Sequence, residues 1–105
     1  MISITIWRDQ HFTSFEVKGH ALFKPHGQDI VCAGVSTAAI LTFNLLEKKT
    51  SLTHRLEEGL LDVIIKHPSN ETDEIIDVFL TAIKDIIADY PKHITLNERE
   101  EARNA

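Results

Sequence analysis

The chain is predicted to fold as an α+β domain in which two helices pack on a largely antiparallel sheet, in the order ββαββα(β). Three patterns predict it. The first 18 residues hold two runs that alternate apolar and polar side chains. Two longer stretches, near 29–48 and 70–90, repeat their apolar residues with helical period. Between them lies a second pair of short strand-like runs.

Residues 2–7 (Ile-Ser-Ile-Thr-Ile-Trp) alternate with period two and are rich in β-branched side chains, the pattern of a half-buried strand. Arg8-Asp9-Gln10-His11 is polar and turn-like, and residues 12–18 then form a second strand with Phe15 and Val17 on one face. These two are predicted to pair as an antiparallel hairpin. The stretch from Gly19 to Gln28 carries Gly19, Pro25 and Gly27 and is predicted to be a mobile loop.

From Asp29 to about Lys48 the spacing is helical. Asp29 is a suitable N-cap, because its carboxylate can accept the amide hydrogens two and three residues on. Ala33, Gly34, Ala38 and Ala39 are small enough for this helix to lie close against a sheet, while Val31, Val35, Leu41, Leu45 and Leu46 supply apolar bulk. Lys48 and Lys49 suit its negative end. Leu52–Glu57 and Leu60–Lys66 read as strands joined at Glu58-Gly59. Ile75, Ile76, Phe79, Leu80, Ile83, Ile86 and Ile87 then mark one face of a second helix, capped by Ser69 or Asn70 and stopped by Tyr90-Pro91. Residues 93–96 are predicted to add a short strand. The chain therefore divides into one domain over 1–96 and a polar tail over 97–105 that ends in disorder.

At 105 residues the chain can bury a single modest core, and its 43% apolar and 26% charged content is that of a soluble globular protein. No apolar run approaches the ~18 residues of a membrane span, and the alternating N-terminus lacks the basic start and apolar block of a secretion signal. The net charge of −5 argues against direct nucleic-acid binding, which needs a basic surface, but suits a basic polypeptide partner. One cysteine cannot close an internal disulfide, so the cytoplasm is the expected compartment.

That single cysteine, Cys32, falls in the predicted first turn of the first helix, where the positive end of the helix favours a thiolate. His20, twelve residues earlier, ends the second strand. A strand end and the next helix start often share one edge of a sheet, so this imidazole can meet the thiol, take its proton and later protonate a leaving amine. Asp29 is most simply the cap. Its carboxylate lies one turn from the sulfur and would repel a thiolate unless it points to the helix amides or orients His20. Ser36 is four residues after Cys32, hence on the same face, and the backbone N–H groups of Cys32 and Ala33 are candidates for an oxyanion hole. The competing readings are a cysteine merely packed in a core, a strand-end histidine in solvent, and a serine bonded back to its own helix. A metal site from His20, His26 and Cys32 has no common zinc spacing and no CxxC beside it, so neither metal nor cofactor is expected. His11, His54, His67 and His93 are expected to be exposed, and Trp7 and Tyr90 to be packing residues.

Gly19-His20-Ala21, a short glycine-containing loop and then Asp29-Ile30-Val31-Cys32-Ala33-Gly34-Val35-Ser36 resemble the paired motifs of the ribosomal-processing cysteine protease family, Prp. The resemblance runs over nearly the whole chain. It implies a cytoplasmic bacterial protease, usually homodimeric, that removes a short N-terminal extension from a large-subunit ribosomal protein by cutting after an aromatic residue. It also implies Cys32 as nucleophile and His20 as general base, with Gly19, Asp29 and Ser36 at positions associated with the site. Gly34 stands where many members have alanine. The alternative is a non-catalytic ribosome-associated or peptide-binding module with a structural cysteine.

Overall fold

The computed structural model describes residues 1–19 and 30–103. Its elements are β1 (Ile2–Asp9), β2 (His11–Lys18), α1 (Ile30–Lys49), β3 (Leu52–Glu57), β4 (Leu60–Ile65), α2 (Asn70–Asp89) and β5 (Ile94–Arg99). The five strands form one sheet in the order β3-β4-β2-β1-β5. Every pairing is antiparallel except β1 with β5, which is parallel. The architecture is the expected α+β fold, with a mixed sheet.

Alternation sorts the sheet into two faces. Ile4 pairs with Val17 and Val17 with Leu61, while Ile6 pairs with Phe15 and Phe15 with Val63. These apolar rows form the inner face, which joins Val31, Val35, Ala39, Phe43 and Leu46 of α1 and Ile76, Phe79, Leu80 and Ile83 of α2 in one continuous core. Phe15 and Phe79 meet at 5.3 Å between ring centroids, in a tilted pair that anchors α2 to the middle of the sheet. The outer face carries Trp7, Ser14, Glu16 and Asp62.

Several elements depart from expectation. The first hairpin turns on Gln10 alone, at φ +63°, rather than on a four-residue turn. The register slips by one residue at Trp7/Arg8, so that Arg8 pairs with Phe12 and Thr13 is the extra residue of a bulge. His11, expected to be exposed, is half-buried. Its Nδ1 lies 2.6 Å from Asp73 Oδ2, and Asp73 Oδ1 accepts the Phe12 N–H at 2.9 Å. One carboxylate at the start of α2 thus secures the bend. His54, His67 and His93 are exposed, as expected; the His54 ring meets Phe43 at 4.7 Å in a tilted pair, and His93 meets the Tyr90 ring edge-on.

Helix α1 is long and apolar enough to cross a membrane, which corrects the expectation that no such segment exists. In this fold it is a core helix, with Val31, Cys32, Val35, Ala39, Thr42, Phe43 and Leu46 buried. The small side of α1 also serves a different contact from the one expected. Gly34 faces α2, where a methyl group would meet Ile86 Cδ1 at 3.5 Å, an ordinary van der Waals contact that alanine would satisfy.

Ser69 is the N-cap of α2. Its Oγ accepts the Thr72 N–H at 3.2 Å, and Thr72 Oγ1 accepts the Ser69 N–H at 2.8 Å, a reciprocal capping box. Tyr90 ends the helix, as expected. Strand β5 runs to Arg99, three residues past the short strand predicted over 93–96. Arg103 is held on the sheet, while Asn104 and Ala105 lie outside the described residues.

Candidate active site

Three chain segments meet at one end of the sheet: the start of β1, the end of β2 and the β3–β4 turn. Gly19 follows β2 with φ +148°, a backbone region that side chains rarely adopt. Its N–H donates to Gly59 O at 3.0 Å. A Cβ on Gly19 would come within 2.7 Å of Met1 O and 3.0 Å of Ile2 Cα. Only glycine lets β2 leave the sheet this close to the β1 backbone. A surface depression here is lined by Met1, Ser3, Lys18, Gly19, Glu58 and Gly59.

Cys32 lies in the first turn of α1. Cys32 is 6% exposed and is buried with Val31 and Val35 at the head of α1. Its Sγ is 3.9 Å from Ser36 Oγ, a contact in which either group can donate, so the two residues share one helix face as the i, i+4 spacing requires. Beside Ser36 a shallow groove runs along α1, lined also by Thr37, Ile40, Leu41 and Asn44.

The structure therefore brings Cys32 and Ser36 together and fixes Gly19 at the sheet end. His20 and Asp29 lie outside the described residues, as do His26 and the rest of the loop expected to be mobile after Gly19. Among the described residues, no group of three His, Cys, Asp or Glu side chains is placed to hold a metal ion.

Sequence comparison decides the family. The model of the family described as cysteine protease Prp matches residues 1–95. The chain belongs to this family. The ribosomal processing cysteine protease Prp of Mycoplasma genitalium is 32% identical over 99 residues, covering 93% of this chain and 96% of that protein. The Bacillus subtilis protein of the same name is 50% identical over 46 residues, which span 42% of this chain and 41% of the relative. Among solved structures, the essential ribosomal processing protease Prp of Staphylococcus aureus, in complex with a covalently linked product peptide, superposes with a TM-score of 0.78 at 25% identity. That match covers 94% of this chain and all 100% of the other. The fold is shared by SMU.848 of Streptococcus mutans, with a TM-score of 0.81 at 24% identity over 96% of this chain and 99% of that one. Family membership makes this chain a cysteine protease, a peptide hydrolase, and Cys32 is its only cysteine.

Proposed function

We propose that this protease removes a short N-terminal extension from a large-subunit ribosomal protein, cutting after an aromatic residue, with Cys32 as nucleophile and His20 as general base. The observation that carries this reading is the placement of the chain's one thiol in the first turn of α1, beside Ser36, in a member of a cysteine protease family. The relatives named for ribosomal processing support the substrate class.

In this reading His20 accepts the Sγ proton, and the thiolate attacks the scissile carbonyl carbon. The N–H groups of Cys32 and Ala33 at the head of α1 hold the resulting oxyanion. As the tetrahedral intermediate collapses, the C–N bond breaks and His20 returns its proton to the departing amine. Water, deprotonated by His20, then attacks the thioester and releases the acid and the thiol. Asp29 orients His20, and Ser36 hydrogen-bonds the sulfur. Catalysis needs no metal or cofactor in this scheme. We place the reaction in the cytoplasm, where ribosomal proteins are made and a lone thiol stays reduced. The net charge of −5 favours a basic polypeptide over nucleic acid as the partner.

The test is incubation of the purified protein with a peptide spanning such an extension, with products read by mass spectrometry. Two fragments, separated after the aromatic residue, are expected. An intact peptide in the presence of folded protein would overturn the reading and favour a non-catalytic peptide-binding module.

A homodimer belongs to the same proposal. Leu41 (67% exposed), Leu45 and Val78 (70% exposed) leave an apolar face across α1 and α2, bordered by Ile75. Burying that face against a second copy removes it from water. Analytical ultracentrifugation is expected to give a dimer for the parent and a monomer for Leu41→Glu. A parent that sediments as a monomer at micromolar concentration would remove the dimer from the account.

A further inference from the structure

The outer face of the sheet, away from α1 and α2, holds a cluster that the protease reading leaves unused. Glu16 on β2 pairs with Asp62 on β4, so the two carboxylates stand side by side. The Arg103 guanidinium sits over them. Its Nη1 donates to Asp62 Oδ1, its Nη2 to Asp62 Oδ2 at 3.0 Å, and its Nη2 reaches Glu16 Oε2 at 3.5 Å. The opposite side of the guanidinium lies 4.4 Å from the centre of the Trp7 ring. A forked pair of donors on a carboxylate and a cation over an aromatic face are the two ways proteins recognise arginine in particular. The hydrogen bond to Asp62, ahead of all other causes, raises the Arg103 pKa above its ordinary value, so the group is a permanent cation.

Two features show that Arg103 does not exhaust this site. Asp62 is satisfied at both oxygens, but Glu16 is touched only at the outer limit of hydrogen bonding, and one cation faces two carboxylates. Ser14, which pairs with Trp7 and Ile64 and so shares their face, is 1% exposed, and its Oγ has no hydrogen-bond partner among the described residues. A buried hydroxyl without a partner costs stability wherever it serves only packing. Arg103 is also lightly tethered. Among the described residues, the hydrogen bonds between 100–103 and the sheet all come from its side chain, and 101–103 form no helix or strand.

We propose that Trp7, Glu16, Asp62 and Ser14 form an arginine-recognition site on the outer face of the sheet, filled here by the chain's own Arg103, which yields to an arginine of a basic polypeptide. The tail competes from within the same chain at an effective concentration on the order of millimolar, so it sets a threshold that a single arginine crosses poorly and an arginine-rich segment crosses well. Identifying that polypeptide with the protease's substrate rests on the reading given above. The recognition site itself rests on the geometry alone.

Trp7 is the chain's only tryptophan, so its fluorescence reports on this site. The probe is a short acetylated and amidated peptide carrying two arginines, titrated into the full-length parent and into Arg103→Ala, each checked for cooperative unfolding. We expect saturable quenching or enhancement of Trp7 emission, with half-saturation at least tenfold lower in Arg103→Ala than in the parent. Adding Asp62→Asn to Arg103→Ala is expected to abolish that gain, and the two-lysine peptide to bind more weakly. Equal titrations of parent and variant, or a response that survives Asp62→Asn, would overturn the proposal. If Arg103→Ala does not fold, Arg103→Lys carries the comparison, with at least a threefold drop expected and an unchanged midpoint overturning it. Peptide cleavage plays no part in the readout, so failure here and failure of the protease reading are distinguishable.

Discussion

Cys32→Ala is expected to lower kcat/KM for peptide cleavage by at least four orders of magnitude, to the background of the assay, while the protein stays folded. In the proposed mechanism Cys32 is the nucleophile, so its removal takes away the reaction path itself, and losses of this size or larger are the rule for such residues. The fold tolerates the change because truncation removes a single buried sulfur from the first turn of α1 and leaves an apolar methyl group in its place. A destabilisation of about 1 kcal/mol is expected, read as a lower denaturant midpoint at unchanged slope. Ser36→Ala provides the gradation. It deletes one weak contact, 3.9 Å from the sulfur, and is expected to reduce the rate about tenfold. Iodoacetamide adds a chemical arm: one equivalent of adduct on the parent, none on Cys32→Ala, and cleavage lost in step with labelling. A purely packed cysteine predicts the reverse, with cleavage surviving the substitution and a thiol that stays unlabelled until the protein unfolds.

Most of the fold was legible because its elements carry their own periods. Ile2, Ile4 and Ile6 announce a strand half-buried on one side, and β3 and β4 could be bounded closely because Gly59 (φ +74°) marks the turn between them. What escaped depends on register. Asn97, Glu98 and Arg99 read as tail because they are polar, yet an edge strand held by β1 alone accepts polar residues on its open side. The pairing of His11 with Asp73 joins residues 62 positions apart. The Glu16–Asp62–Arg103 cluster needs β2 and β4 aligned before the carboxylates become neighbours, although charged residues inside two apolar strands were the available sign. The contact of Cys32 with Ser36 was legible for the opposite reason: a helix fixes the i, i+4 relation locally.

Gly19 joins the end of β2 to the residue proposed as general base, and Gly19→Ala is expected to cost about 2–4 kcal/mol of stability together with at least a hundredfold of activity. The two penalties have separate origins. A side chain at φ +148° is strained whatever the space around it, and the new Cβ would stand 2.7 Å from the Met1 carbonyl oxygen, which is backbone and cannot rotate away. Relief requires the end of β2 to move off β1, which also strains the Gly19 N–H bond to Gly59 O. His20 is the next residue, so this displacement passes directly to the group assigned the proton transfer, where small errors of position are costly. Gly59→Ala is the control. It also has positive φ, at +74°, but its Cβ would meet Gly19 O at 3.5 Å, ordinary contact, so a loss of about 1 kcal/mol with activity largely kept is expected. Denaturant titration and kcat/KM on both variants separate the cases. Equal, small effects at the two glycines would show that the sheet end bends freely, and would remove Gly19 from the residues that position the site.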